Sequence, residues 1–114
     1  MFEIKIIKDK INKDELAKIA NEGFGEIIKI VVDIENKILA VGGEMHSDEA
    51  EALFDAGSKS ENLWGINIFP NKPRENWIEF NSLINIKPTI NQSMDIENQE
   101  IKEKIVKIIN DIIV

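Results

Sequence analysis

The residues that most constrain the fold are 26–34, which read EIIKIVVDI. Apolar residues recur at every second position, which places them on one face of a β-strand: Ile28, Ile30, Val32 and Ile34. Lys29 and Asp33 fall on the opposite face, together with two further aliphatic residues. Because that second face is mixed in polarity, we expect it to be partly covered as well.

A second apolar run, residues 38–41, follows after Glu35-Asn36-Lys37. Asparagine tolerates the positive φ that tight turns require, so the two runs predict a β-hairpin. Elsewhere, period-2 alternation predicts strands over residues 2–7, 62–69 and 77–86. Capping residues predict helices that begin near Asn12, at Ser47, and at Asp95 or Asn98, with the first ending within Asn21–Gly25.

The order of these elements predicts an α+β fold with a mainly antiparallel sheet. The first six follow the β-α-β-β-α-β order of ferredoxin-like proteins, and a C-terminal strand and helix are added. At 114 residues, with 43% hydrophobic and 31% charged residues, we expect one globular domain spanning 1–114. In the second helix, Ala50, Leu53 and Phe54 are expected to face inward. In the last helix, helical spacing predicts an apolar stripe formed by Ile101, Ile105, Ile108, Ile109 and Ile112.

The charge balance limits the class of partner. The formal net charge is −7, and the lysines are scattered among more numerous carboxylates. Nucleic acids and anionic membrane surfaces are bound largely through clustered Lys and Arg, so we expect neither as a partner. A cation or a basic surface of another protein is easier to accept.

The chain contains no cysteine, which excludes disulfides, thiolate metal sites and cysteine nucleophiles. Its N-terminal residues, MFEIKIIKDK, alternate apolar with charged side chains. They predict neither a signal peptide nor a membrane anchor. We therefore expect a soluble, cytoplasmic protein.

The first candidate site follows a Gly-Gly break between the third predicted strand and the second helix. The single histidine, His46, lies there between Glu44 and Asp48. Imidazole and carboxylates are ligands for divalent cations, and a histidine beside a carboxylate suits acid–base catalysis. Glu44, His46 and Asp48 are thus candidates for metal binding and for catalysis. The plainer alternative is a loop histidine before a helix that is capped by Ser47 and acidic in its first turn.

The second candidate site lies on the last predicted hairpin. Alternation predicts that Trp64 is buried and that Trp77 is partly exposed, on the same side as Glu79 and Asn81. With Asn67, these side chains would form a ligand-binding or protein-recognition surface. The alternative is a solvated sheet face.

Three segments resemble a family of small, uncharacterised prokaryotic proteins: DELAKIANEGFG, GGEMHSDEAEALF and ENLWGINIFPNKPRENWIEFNSLINIKP. The family has Leu at Met45, Ala at Ser47, Asp at Asn81 and Arg at Lys87, so this chain lacks one carboxylate of the family pattern. The resemblance implies a compact domain and brings no activity or cofactor.

The sequence therefore leaves the function unknown and favours a small ligand-binding or protein-interaction module. An exposed sheet edge or polar sheet face would suit a homo-oligomer. The alternative is an enzyme, dependent on a divalent cation or on acid–base chemistry, centred on Glu44, His46 and Asp48.

Overall fold

The structure is a computed structural model that describes residues 3–22 and 26–114. Phe2 lies outside these residues, and so does most of the helix end predicted within Asn21–Gly25. The strands are β1 (Lys5–Ile7), β2 (Ile28–Asp33), β3 (Ile38–Val41), β4 (Leu63–Ile68) and β5 (Ile78–Glu79). The helices are α1 (Lys13–Glu22), α2 (His46–Asp55) and α3 (Gln99–Ile112), with short 3-10 turns at Ser60–Asn62, Arg74–Asn76 and Leu83–Asn85.

The five strands form one sheet in the order β1-β3-β2-β4-β5, and each pair of neighbours is antiparallel. The predicted α+β class with a mainly antiparallel sheet is confirmed. The order of elements along the chain is compatible with the ferredoxin-like suggestion. The predicted hairpin is the β2–β3 pair, and its turn places Lys37 at a φ of 57°.

Both faces of the sheet are covered. On one face, alternate residues of β2 and β4 join α1 and α3 in the main core. On the other, Val31, Ala40 and Leu63 pack with Leu53 of α2. The expectation that the second face of β2 is covered is therefore confirmed.

α3 matches the sequence pattern closely. Ile105, Ile108 and Ile109 face the core, as their helical spacing predicts. Of the two predicted caps, Asn98 is the one used, because its side-chain oxygen accepts hydrogen bonds from the backbone N–H groups of Glu100 and Ile101.

The last predicted strand, 77–86, is mostly wrong, because β5 contains only Ile78 and Glu79. Trp77, expected to be partly exposed, is only 4% exposed. It ends the turn Arg74–Asn76 in a helical backbone conformation, so strand alternation does not govern its direction. Its ring joins the main core, and Nε1 donates to the carbonyl oxygen of Lys72 at 2.8 Å. Trp64 is buried as predicted.

The start and the orientation of α2 also differ from the prediction. The helix begins at His46, and its cap is Met45, which makes no side-chain capping bond, so Ser47 is not the cap. The buried residues are Glu49 and Leu53, whereas Phe54 is 57% exposed. The carboxyl group of Glu49 thus faces inward, whereas Phe54, which the sequence predicted to face inward, lies at the surface.

Candidate functional site

The inward position of Glu49 depends on Gly43. The backbone N–H of Gly43 donates to Oε2 of Glu49 at 2.9 Å. A Cβ atom on residue 43 would stand 2.7 Å from Cγ of Glu49, closer than real Cβ contacts allow. The side chain of Glu49 therefore occupies space that exists because residue 43 is a glycine.

The carboxyl group of Glu49 is uncharged at neutral pH. Burial raises its pKa to about 9, against the opposing effects of the Gly43 hydrogen bond and the positive charge of Lys29. Its other oxygen, Oε1, is buried and has no hydrogen-bond partner among the residues that the structure describes. The start of α2 thus holds a proton in the protein interior.

His46 is bound to the backbone of β4. Its Nε2 lies 2.7 Å from the carbonyl oxygen of Ile66. Because a carbonyl oxygen only accepts, Nε2 carries the proton, and Nδ1 is the acceptor nitrogen of the neutral ring. Burial lowers the pKa of His46; the hydrogen bond to Ile66 opposes this effect, and the charge of Lys29 adds to it. His46 is therefore neutral at neutral pH.

The carbonyl of Ile66 faces β2, its partner strand, so His46 adds a second contact to a strand that is already paired. The other edge of β4 is only partly covered, because β5 pairs only with Asn67 and Ile68. On that edge Asn85 takes the place of a strand, since its side chain both donates to the carbonyl of Gly65 and accepts from its N–H. His46 thus has a structural role at the position where the sequence suggested chemistry.

Glu44 and Asp48 line an open groove of about 400 Å³ together with Glu51 and Asp55, and His46 is not among its lining residues. The backbone carbonyl of Glu44 accepts a hydrogen bond from Nζ of Lys29 at 3.1 Å. Within residues 3–22 and 26–114, no three His, Asp or Glu side chains stand close enough together to hold a metal ion.

The second candidate site comes together around Asn67. Its Nδ2 donates to Oε1 of Glu79 at 2.9 Å and to the carbonyl oxygen of Asn81 at 3.1 Å. Nδ2 of Asn81 in turn donates to Oδ1 of Asp95 at 2.7 Å. We call Asn67, Glu79, Asn81 and Asp95 the polar corner. Trp77, the fourth predicted residue of this site, lies in the main core.

Asn67 is the buried member of the polar corner. It is 7% exposed, and its Oδ1 is buried with no hydrogen-bond partner in the described part of the chain. Lys29 faces it across the strand pair, since the register joins these two residues. Glu79 is exposed and Asn81 is half-buried.

Sequence reasoning missed the roles of Glu49 and Asp95. Glu49 lies three residues after His46 and four before Leu53, so a helix starting at His46 places all three on one side. That spacing was the available signal. Asp95 gave none, because it lies outside every predicted strand, so no strand register could pair it with residue 81.

The fold and these sites define a small α+β protein with a five-stranded antiparallel sheet and a helix that buries a carboxyl group against it. The chain belongs to the family described as "Protein of unknown function (DUF5674)", whose model matches residues 5–112. The predicted membership of an uncharacterised family is confirmed. Comparisons with curated proteins and with solved structures find no match. No helix in the described ranges has the length and apolar character needed to span a bilayer.

Proposed function

We propose that the protein is a small-ligand-binding module whose site is the polar corner, and that its ligand carries an ammonium or another N–H donor. The observation that carries this proposal is the buried, unpartnered Oδ1 of Asn67. Most buried polar atoms in proteins have a hydrogen-bond partner. Leaving one unpaired costs about 1–3 kcal/mol, so an unpaired acceptor favours a donor from outside the chain.

The remaining groups of the polar corner also favour a donor. Glu79 and Asp95 contribute carboxylates, and Asn81 contributes a carbonyl oxygen that already accepts from Asn67. The chain as a whole carries a net charge of −7, which attracts cations. Lys29 is the opposing charge, and its Nζ donates to the carbonyl oxygen of Glu44.

Access to Oδ1 of Asn67 would come through Glu79. This residue is exposed and lies on a strand of two residues, so turning its side chain outward disturbs no packed core. In that position its carboxylate would pair with the ammonium of the ligand while Oδ1 of Asn67 accepts a second hydrogen bond. Paired interactions of this kind give an orientation as well as affinity.

The test uses three small probes with the same carbon chain: butylamine, butan-1-ol and butanoic acid. Each is titrated into ¹⁵N-labelled protein, and the side-chain NH₂ signals of Asn67 and Asn81 are followed by NMR. We expect saturable shifts of both signals with the amine and none with the acid. Glu79→Gln should weaken the amine response about tenfold, the scale of losing one charge-assisted hydrogen bond.

The matched control is Glu75→Gln. It removes the same charge from an exposed residue that lines the groove between α3 and β5 instead of the polar corner. If Glu79→Gln and Glu75→Gln weaken the response to the amine equally, only the net charge of the protein matters. NMR shifts spread over the whole protein surface would have the same meaning. Either result, or no response to the amine, overturns the proposal.

A further inference from the structure

A groove of about 360 Å³ runs beside α2. It lies between the helix and the 3-10 turn Leu83–Asn85, on the side of the sheet that α2 covers. Four apolar side chains line it: Ala50, Phe54, Leu63 and Ile84. The other lining residues are Ser47, Glu51, Ser60 and Lys87.

One of these lining residues, Phe54, is a large apolar side chain that remains 57% exposed to water. Two further exposed apolar residues, Leu83 and Ile86, lie close in sequence to the lining residue Ile84. Exposed apolar side chains in a groove of a small protein favour binding of another molecule there.

The charges around the groove indicate the sign of the charge on the molecule that binds there. α2 contains no lysine or arginine, and its exposed acidic residues are Asp48, Glu51 and Asp55. Glu51 lines both this groove and the neighbouring acidic one, so the two surfaces are continuous.

The cation among the lining residues, Lys87, is occupied within the protein. Its Nζ donates to the carbonyl oxygens of Ser60 and Ile84 and stands 4.9 Å from the centre of the Trp64 ring. Its positive charge offsets one lining carboxylate, Glu51, and leaves Asp48 and Asp55 of the continuous acidic groove to attract a basic partner.

We propose that this groove docks a basic, amphipathic peptide segment of another protein. Apolar side chains of the peptide would cover Phe54 and fill the space above Ile84, and its Lys or Arg side chains would face Glu51 and Asp55. Amphipathic helices bind apolar grooves through side chains that recur every three or four residues, and complementary charge sets the choice of partner. This surface and its partner are separate from the polar corner, so the two proposals stand or fall independently.

The test compares two labelled peptides by fluorescence anisotropy. One has about 14 residues, or four helical turns, with leucines on one face and lysines on the other. The second has glutamate in place of each lysine. We expect the lysine peptide to bind at least about tenfold more tightly than the glutamate peptide, and its affinity to fall as salt screens the charges.

Three variants locate the binding surface. Phe54→Ser should weaken binding of the lysine peptide about tenfold, and Glu51→Gln with Asp55→Asn should reduce its salt dependence. Val106→Ser is the matched control, because Val106 is an exposed apolar residue on α3. All substitutions are at exposed positions, and melting curves check that each variant is folded.

Equal loss of binding in Phe54→Ser and Val106→Ser would overturn the proposal, as would equal affinity for the two peptides. Light scattering of the unmodified protein tests a second copy as the occupant. A dimer that Phe54→Ser dissociates would assign the groove to self-association instead of a basic peptide. A monomer that binds the lysine peptide at Phe54 would support the proposal.

Discussion

The backbone N–H of Gly43 and the carboxyl group of Glu49 are joined by a 2.9 Å hydrogen bond across the junction of β3 and α2. This bond fixes which side of α2 faces the sheet. With Glu49 and Leu53 inward, Phe54 is left at the surface, where it lines the groove beside α2.

Glu49→Gln should make the protein more stable at alkaline pH. The pKa of Glu49 is raised from 4.5 to about 9, so the folded state binds more protons than the unfolded state between these values. Its contribution to stability is therefore complete below about pH 4.5 and is lost as pH rises towards 9. At pH 7 the loss is on the order of 3 kcal/mol. Glutamine keeps the acceptor for Gly43 and removes the ionisation.

Urea unfolding at about pH 5, 7 and 9 measures this effect. The variant should gain stability relative to the unmodified protein as pH rises, while the titration of His46 affects both proteins alike. Glu51→Gln, an exposed neighbour, is the control and should show no such change relative to the unmodified protein. A difference between Glu49→Gln and the unmodified protein that does not change with pH would contradict the prediction.

Gly43→Ala should destabilise the protein by about 1–3 kcal/mol, because the new methyl group overlaps Cγ of Glu49. The cost should shrink when Glu49→Ala is added, since the double variant removes the overlapping group. A double-mutant cycle on the free energy of unfolding measures the coupling. Additive costs would mean that the two residues do not share this space.

His46 should titrate below its ordinary pKa of 6.5, with Nε2 protonated in the neutral ring. Because the pKa is lowered, the folded state binds fewer protons than the unfolded state. The contribution of His46 is complete above pH 6.5 and is lost as pH falls from there through the lower folded value. Long-range ¹H–¹⁵N NMR spectra report both the titration midpoint and the tautomer. A protonated Nδ1 would contradict the bond to Ile66.

Asp33→Asn should destabilise the β2–β3 turn. Burial acts to raise the pKa of Asp33, but hydrogen bonds from the backbone and side chain of Asn36, from Ser58 and from Glu35 outweigh it and lower the pKa. The stabilisation is present above the ordinary value of 3.8 and is lost as pH falls through the lower folded value.

We expect a loss of about 1–3 kcal/mol for Asp33→Asn at neutral pH, measured by urea unfolding. The exposed neighbour Glu35→Gln serves as the control, since its side chain is not the acceptor in this turn. A stability unchanged in Asp33→Asn would show that the network contributes nothing net.

The parts of the fold that the sequence predicted are those where periodicity and burial agree. The alternation in β2 and the isoleucine stripe of α3 required no long-range information. Alternation along the strands also predicted that Asn67, Glu79 and Asn81 lie on the same face of the sheet, because paired residues of neighbouring strands share a face.

The errors occur where a polar side chain replaces a regular partner. Beyond Glu79, the Asn85 amide bonds the backbone of Gly65, which lies 20 residues earlier, and the Asn91 amide bonds the backbone carbonyl of Asn85. Such bonds leave no periodic pattern in the sequence. At α2, hydrophobicity favoured Phe54 as the inward residue. The competing choice of Glu49 depends on the absence of a Cβ at Gly43, six residues earlier.

The two hydrogen bonds between the Asn85 side chain and the backbone of Gly65 bear on aggregation. An uncovered strand edge recruits strands from other molecules, and β5 is too short to shield all of β4. Because its N–H and its carbonyl are both hydrogen-bonded to Asn85, Gly65 has no backbone group available to pair with an incoming strand. Any assembly of copies by continuous sheet extension would therefore use one of the two outer strands, β1 or β5.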